Sequence, residues 1–279
     1  MPLKPLLICS SLLLGAAAHA ADGEPASAAP AVPAPTAAPA STAAAYQAAG
    51  KAFLARITDA EAAHDPAMVG GDQANELIAV LSDEKRFLKP GPYAAGEMVE
   101  LEGMCSTSSQ VESALMRFDS KAITDGNDNP QNKMIRMLLV RRDNAEKFSP
   151  ILAKLAPFRY RCFGKLSKPL LEAMSVPGYQ MTADGKTTLD NLRARSFMTI
   201  LDGATFFNIS KSDEERVAVA KALAENIGDV IQPLPLGMRQ TIDRASQVPS
   251  TKSPANLKPY WDTVFTALGD TTCNVVCKQ

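Results

Sequence analysis

Four cysteines follow the first twenty residues of this 279-residue chain: Cys105, Cys162, Cys273 and Cys277. An even number of thiols in an exported protein points to disulfides, and four allow three connectivities. Proximity favours Cys273 with Cys277, because residues four apart on a helical turn sit about 6 Å from one another, within reach of an S–S bond. That choice leaves Cys105 with Cys162, a bridge across 57 residues. A four-thiolate zinc site needs tighter pairing than that span offers. A redox couple is usually C-x-x-C, and Cys273-Asn-Val-Val-Cys277 has one residue more.

Other reactive groups are sparse. His64 is the sole histidine after residue 20, so a His-based metal site has no second ligand. The chain has no H-E-x-x-H, no G-x-S-x-G and no phosphate-cradling glycine loop. Asp125, Asn127 and Asn129 begin like a calcium loop, but Pro130 stands where glycine is needed and Arg136 where glutamate is needed. Met134 and Met137 offer soft thioethers of the kind that hold copper(I), but they fall at core positions, so packing is the expected role. No metal and no cofactor is expected.

One carboxylic acid suffices for some glycan-cleaving enzymes. Glu112-Ser113-Ala114-Leu115 resembles the Glu-Ser pair that lytic transglycosylases carry at a helix end. Leu236-Gly237-Met238-Arg239-Gln240 is similar to a second motif of that family, and Ala45-Tyr46-Gln47 to a third. The third motif comes first here and last in the family. The resemblance implies that Glu112 is a general acid, which requires burial to raise its pKa. Ser109 with Glu112 also fits a capping box, the structural use of the same carboxylate.

The arginines Arg141, Arg142, Arg159 and Arg161 are candidate partner-binding anchors, since arginine is enriched at interface hot spots.

The N-terminus supplies an address. Lys4 precedes an apolar run from Leu6 to Ala18, too short to span a bilayer, and Ala18-His19-Ala20 is a small-x-small cleavage site. Residues 1–20 therefore read as a cleaved signal peptide, with no transmembrane segment expected afterwards. Residues 21–45 are rich in alanine and proline, a composition that buries no core, and read as a linker. The domain spans 46–279, with a possible sub-boundary near 177–185. After residue 20 the chain has 28 basic and 30 acidic residues and no long basic run, which argues against nucleic acid and anionic membranes as partners.

The domain reads as all-α, bundle-like, with eight to ten helices and no period-two strand pattern. Its longest apolar stretch is Gln131 to Met174. There Asn129-Pro130 starts a helix, Ser149-Pro150 breaks it and Ser167-Lys168-Pro169 restarts it. Met134, Leu138, Ala145, Phe148, Leu152 and Leu155 form its expected inner face, and Cys162 is expected to be buried. Ser212 with Glu215 caps the clearest stripe: Ala220, Leu223, Ala224, Ile227, Val230 and Ile231. A short helix through Met238, Ile242 and Ala245 is expected to end before a loop at 249–254, and Pro259 to open the last helix.

Export, neutral charge and missing catalytic constellations lead to one expectation: a periplasmic helical protein that binds another protein, as an inhibitor, an immunity-type partner or an envelope assembly factor. The alternative is a peptidoglycan-acting, lytic-transglycosylase-like enzyme using Glu112.

Overall fold

Apolar stripes of helical period dominate the chain, and in the computed structural model every one of them becomes a helix. The structure describes residues 42–120, 129–174, 182–210, 212–272 and 277. Among these are ten α-helices, three short 3-10 turns and no strand, joined through one apolar core. No helix of the described residues is long and apolar enough to cross a membrane. The signal-like residues 1–20 lie outside the described residues, as do 21–41 of the linker. Residues 42–45 do not belong to a linker: Thr42 begins a helix, and Ala43 is buried in it.

The helices are α1 (Thr42–Ala62), α2 (Asp72–Leu81), α3 (Glu84–Phe87), α4 (Met98–Met116), α5 (Pro130–Lys147), α6 (Ser149–Met174), α7 (Ala183–Ile209), α8 (Asp213–Val230), α9 (Leu236–Lys252) and α10 (Lys258–Gly269). Their starts are chemically marked. The Asn129 side chain accepts from the Asn132 N–H with Pro130 in the first turn, and the Ser212 hydroxyl accepts from the Glu215 N–H. Asp72 is the first residue of α2. Gly71 is the cap, at φ +98°, a conformation that favours glycine.

α6 is the central helix. It packs along α8 on one side and α4 on the other, with α1 beyond α4 and with α7 and α10 against α8. Leu152, Leu155, Phe158, Cys162, Phe163 and Leu166 of α6 are all buried, because helices surround it on several sides. Phe158 stacks on Tyr46 of α1 at 4.5 Å between ring centroids. Cys105 of α4 and Cys162 of α6 form a disulfide. Cys273 lies outside the described residues, and the expected pairing with Cys277 therefore does too.

Three expectations about helix limits change. α4 runs unbroken through Ser109, so Ser109 and Glu112 form no capping box. α6 continues through Pro157 and Pro169, so Pro169 starts no new helix. α9 extends through residue 249 to Lys252, beyond the expected loop start.

Candidate functional site

Two features stand out: an ionic cluster inside the bundle and an apolar face outside it. The cluster forms because four inward helical positions carry charge. Glu112 lies on α4, Arg159 on α6, Asp202 on α7 and Arg141 on α5. The Arg159 Nε is 3.1 Å from Glu112 Oε2, and its Nη1 is 3.4 Å from Asp202 Oδ2. Arg141 Nη2 donates to Asp202 Oδ1 at 2.7 Å. The chain of charges thus alternates in sign across four helices. Beside it, Asn144 donates to the carbonyls of Met116 and Phe118, tying α5 to the end of α4.

Burial governs the titration of this cluster. Glu112 is 1 % exposed. Desolvation pushes its carboxyl up to about 7, opposed by the Arg159 charge and reinforced by Asp202. Desolvation also pushes the neighbouring Tyr160 hydroxyl up to about 12. Glu112 Oε1 accepts no hydrogen bond from the described residues. A carboxyl near 7 has the right acidity for proton transfer at neutral pH, but a general acid must also come within hydrogen-bonding distance of its substrate. Here α4, α6 and α7 enclose the group.

The surface holds shallow depressions. One of about 280 Å³ is lined by Pro92, Tyr93, Lys165, Lys168 and Pro169, and another of about 290 Å³ by Arg56, Met68 and Leu77. Glu112 lines neither. Among the described residues no group of three or more His, Cys, Asp or Glu is placed to hold a metal.

The four candidate arginines do not share a surface. Arg159 is interior. Arg161 bridges helices, with Nη1 2.8 Å from Glu84 of α3 and Nη2 3.1 Å from Glu225 of α8. Arg141 is half-buried on Asp202. Arg142 is the most exposed of the four and bonds its neighbour Asp143. Arg239, from the motif near residue 236, is buried and holds the C-terminal segment through the carbonyls of Asp270 and Thr272. His64 is exposed, just beyond α1 at φ +51°, with Nδ1 3.1 Å from Asp119 Oδ1. Asp125 and Asn127 lie outside the described residues, whereas Asn129 is committed as a helix cap.

The outer face of α5 was not foreseen. Ile135 is 49 % exposed, Leu138 59 % and Leu139 45 %. Leu138 is not on the inner face, as its spacing implied. Arg141 and Asn144 occupy inward positions together with Ala145, and the pull of Asp202 and two carbonyls orients the helix that way. The polar residues at 141 and 144, interrupting an apolar stripe, are the sequence signal for this rotation. Arg142, seven residues after Ile135, lies on the same face, and no acidic residue occurs between Asn129 and Arg142.

The chain matches no protein-family model, no curated protein and no solved structure.

Proposed function

We propose that this chain is an exported periplasmic helical protein that acts by binding another protein, as an inhibitor or immunity-type partner or as an envelope assembly factor. The observation that carries this reading is the α5 face. Three large aliphatic side chains, spaced i, i+3 and i+4, stand about half exposed, with Arg142 on the same face. An exposed apolar patch with arginine beside it is a common form of protein contact surface. The signal-like N-terminus and the Cys105–Cys162 bridge support export to an oxidising compartment.

The test is an affinity capture of the mature chain from its own periplasm with crosslinking and mass spectrometry, run beside the double variant Leu138→Glu, Leu139→Glu. A stoichiometric partner retained by the first and lost by the second is the expected result. Equal retention by both removes α5 from the reading.

The near-neutral carboxyl of Glu112 is the observation favouring the alternative, a peptidoglycan-acting enzyme. Release of soluble fragments from peptidoglycan by the purified chain, abolished in Glu112→Gln, would establish it. The enclosure of Glu112 favours the binding protein.

A further inference from the structure

The depression beside Tyr93 gathers polar groups that the bundle does not use up. The run Pro90-Gly91-Pro92-Tyr93 forms one wall, and Lys165, Lys168 and Pro169 of α6 form the other, with Asp229 of α8 lining it too. Its volume of about 280 Å³ is close to the lower bound of small-ligand clefts, roughly 300 Å³. The apolar wall is held in place. Prolines fix their own backbone, the Tyr93 hydroxyl accepts from the Lys89 N–H at 2.9 Å, and the Lys89 ammonium lies 5.6 Å from the ring centroid. Two cations stand opposite, one turn apart on the same side of α6. The Lys165 ammonium donates to the carbonyls of Pro90 and Gly91 at 3.3 and 3.5 Å. These long bonds position it and leave its third proton free. Burial and the Arg161 charge hold its pKa below the ordinary lysine value, opposed by Asp229. Lys168 is exposed, and no carboxylate of the described residues pairs with it. The neighbouring cations are already engaged: Lys89 by Glu97, and Arg161 by Glu84 and Glu225.

We infer that this depression binds an organic monoanion, with a carboxylate held between Lys165 and Lys168 and an apolar group packed against Tyr93 and the prolines. The site is separate from the α5 face and does not depend on it. The single charge follows from the lining. Two lysines and one aspartate leave an excess of one positive charge, which one carboxylate balances. A dianion such as a phosphate monoester brings its second charge against Asp229. The apolar body follows from the opposite wall. Three proline rings and the tyrosine ring present carbon surface, and covering it removes apolar area from water. Two sources offer this chemistry: a free small acid, and the C-terminus of a peptide that ends in an apolar residue.

The probes are phenylacetate, its neutral analogue phenylacetamide, phenyl phosphate, and the tripeptide Ala-Ala-Phe with a free or an amidated C-terminus. Each is titrated into the full mature chain with its bridge intact, and backbone N–H signals are followed by NMR, which also confirms the fold of each variant. Phenylacetate and the free tripeptide shift the signals of Gly91, Tyr93 and Gly164 to Lys168, and the two neutral analogues bind about tenfold more weakly or worse. Lys168→Gln removes an exposed charge without a core contact, and it weakens both acids by about threefold or more. Asp229→Asn strengthens phenyl phosphate by a similar factor. A free tripeptide that binds about tenfold more tightly than phenylacetate assigns the site to peptide C-termini; any smaller margin assigns it to a free acid. Equal binding of the acids and their neutral analogues overturns the carboxylate. Shifts confined to other parts of the chain, no shifts at all, acid binding unchanged in Lys168→Gln, or phenyl phosphate bound more tightly than phenylacetate by the unmodified chain each overturn the inference.

Discussion

The guanidinium of Arg159 lies between two carboxylates, 3.1 Å from Glu112 on α4 and 3.4 Å from Asp202 on α7. Two acids and one central arginine, with Arg141 at the far end, form a charge row that no helix could bury alone. Each member is tolerated because the next comes from a different helix, so the row can exist only when the bundle is assembled. Buried ionic groups are weak sources of net stability but are costly to leave unpaired. The cluster therefore penalises mispacked arrangements of α4, α5, α6 and α7.

Glu112 makes that penalty pH-dependent. Its folded pKa of about 7 lies above the ordinary 4.5, chiefly through desolvation. A carboxyl that holds its proton more tightly in the folded state stabilises the fold at low pH. That contribution is complete below about 4.5 and is lost as pH rises through 7. Its full size is on the order of 3 kcal/mol. Glu112→Gln removes this component and leaves the others: Glu84, also raised by burial, and Glu97 and Asp270, both lowered by hydrogen bonds. Thermal melts at pH 5 and pH 8 should show a smaller difference in the variant. Parallel pH profiles for the two proteins would sink the assignment.

The disulfide acts on the unfolded chain. Cys105 and Cys162 are 57 residues apart, and closing such a loop stabilises the native state by about 4 kcal/mol in the chain-entropy account. At roughly 2–4 °C per kcal/mol for a domain of this size, the double variant Cys105→Ala, Cys162→Ala should melt about 8–16 °C lower. Scanning calorimetry of the variant checks this. A melting point within 2 °C of the parent, roughly the instrumental reproducibility of such scans, would show that the unfolded chain is already confined by other contacts.

The parts of the fold visible in the sequence are those where one local pattern decides. The stripe of α8 behind Ser212, and Trp261, Val264 and Leu268 of α10 behind Pro259, became buried faces because caps and period agree. Glu112 shows the opposite case. Ser109-x-x-Glu112 is a sound capping box when read alone, yet Arg159 and Asp202, distant in the chain, provide the charges that let Glu112 sit in the middle of a helix. Pro169 failed as a helix start for a related reason. The packing of Leu166 and Leu171 into the core holds α6 continuous across it. The α5 face was hidden because Leu138 fits an apolar period. Asp202 on α7 and the carbonyls of Met116 and Phe118, all distant in the chain, decide that the side carrying Arg141 and Asn144 faces inward.

Helix spacing in the core depends on Gly203 of α7. A β-carbon there would lie 2.8 Å from Leu223 Cδ2 and 3.0 Å from the Tyr160 hydroxyl, both in crowded surroundings. Gly203→Ala should therefore destabilise by about 1–3 kcal/mol through overpacking. Gly228 of α8 is the control, being exposed, helical and without a neighbour within 4 Å of its virtual β-carbon. Gly228→Ala should stabilise by roughly 0.5–1 kcal/mol, the usual gain of alanine over glycine in a helix. Urea titrations of the two variants test both signs. Equal effects would mean that α7 can move away from α6 and α8 at little cost.

Arg239 of α9 anchors the described part of the C-terminal segment. Arg239 of α9 is 1 % exposed, and its guanidinium donates to the carbonyls of Leu234, Asp270 and Thr272 at 3.1, 2.9 and 3.4 Å. Its Nη2 lies 3.5 Å from the Cys277 sulfur. These acceptors include the carbonyls just beyond α10, where the helix has ended and backbone groups need partners. Arg239→Met keeps the length and apolar stem of the side chain but removes every donor. The carbonyls then lose charge-assisted bonds worth about 1.5–3 kcal/mol each in favourable cases, and a loss of about 3 kcal/mol overall is expected. The release should be local as well as global. Amide hydrogen exchange at Asp270 to Thr272 should quicken well beyond the change in α1 or α2, at the opposite end of the helix order. Uniform quickening along the chain would make Arg239 a general core residue instead of the tie for this segment.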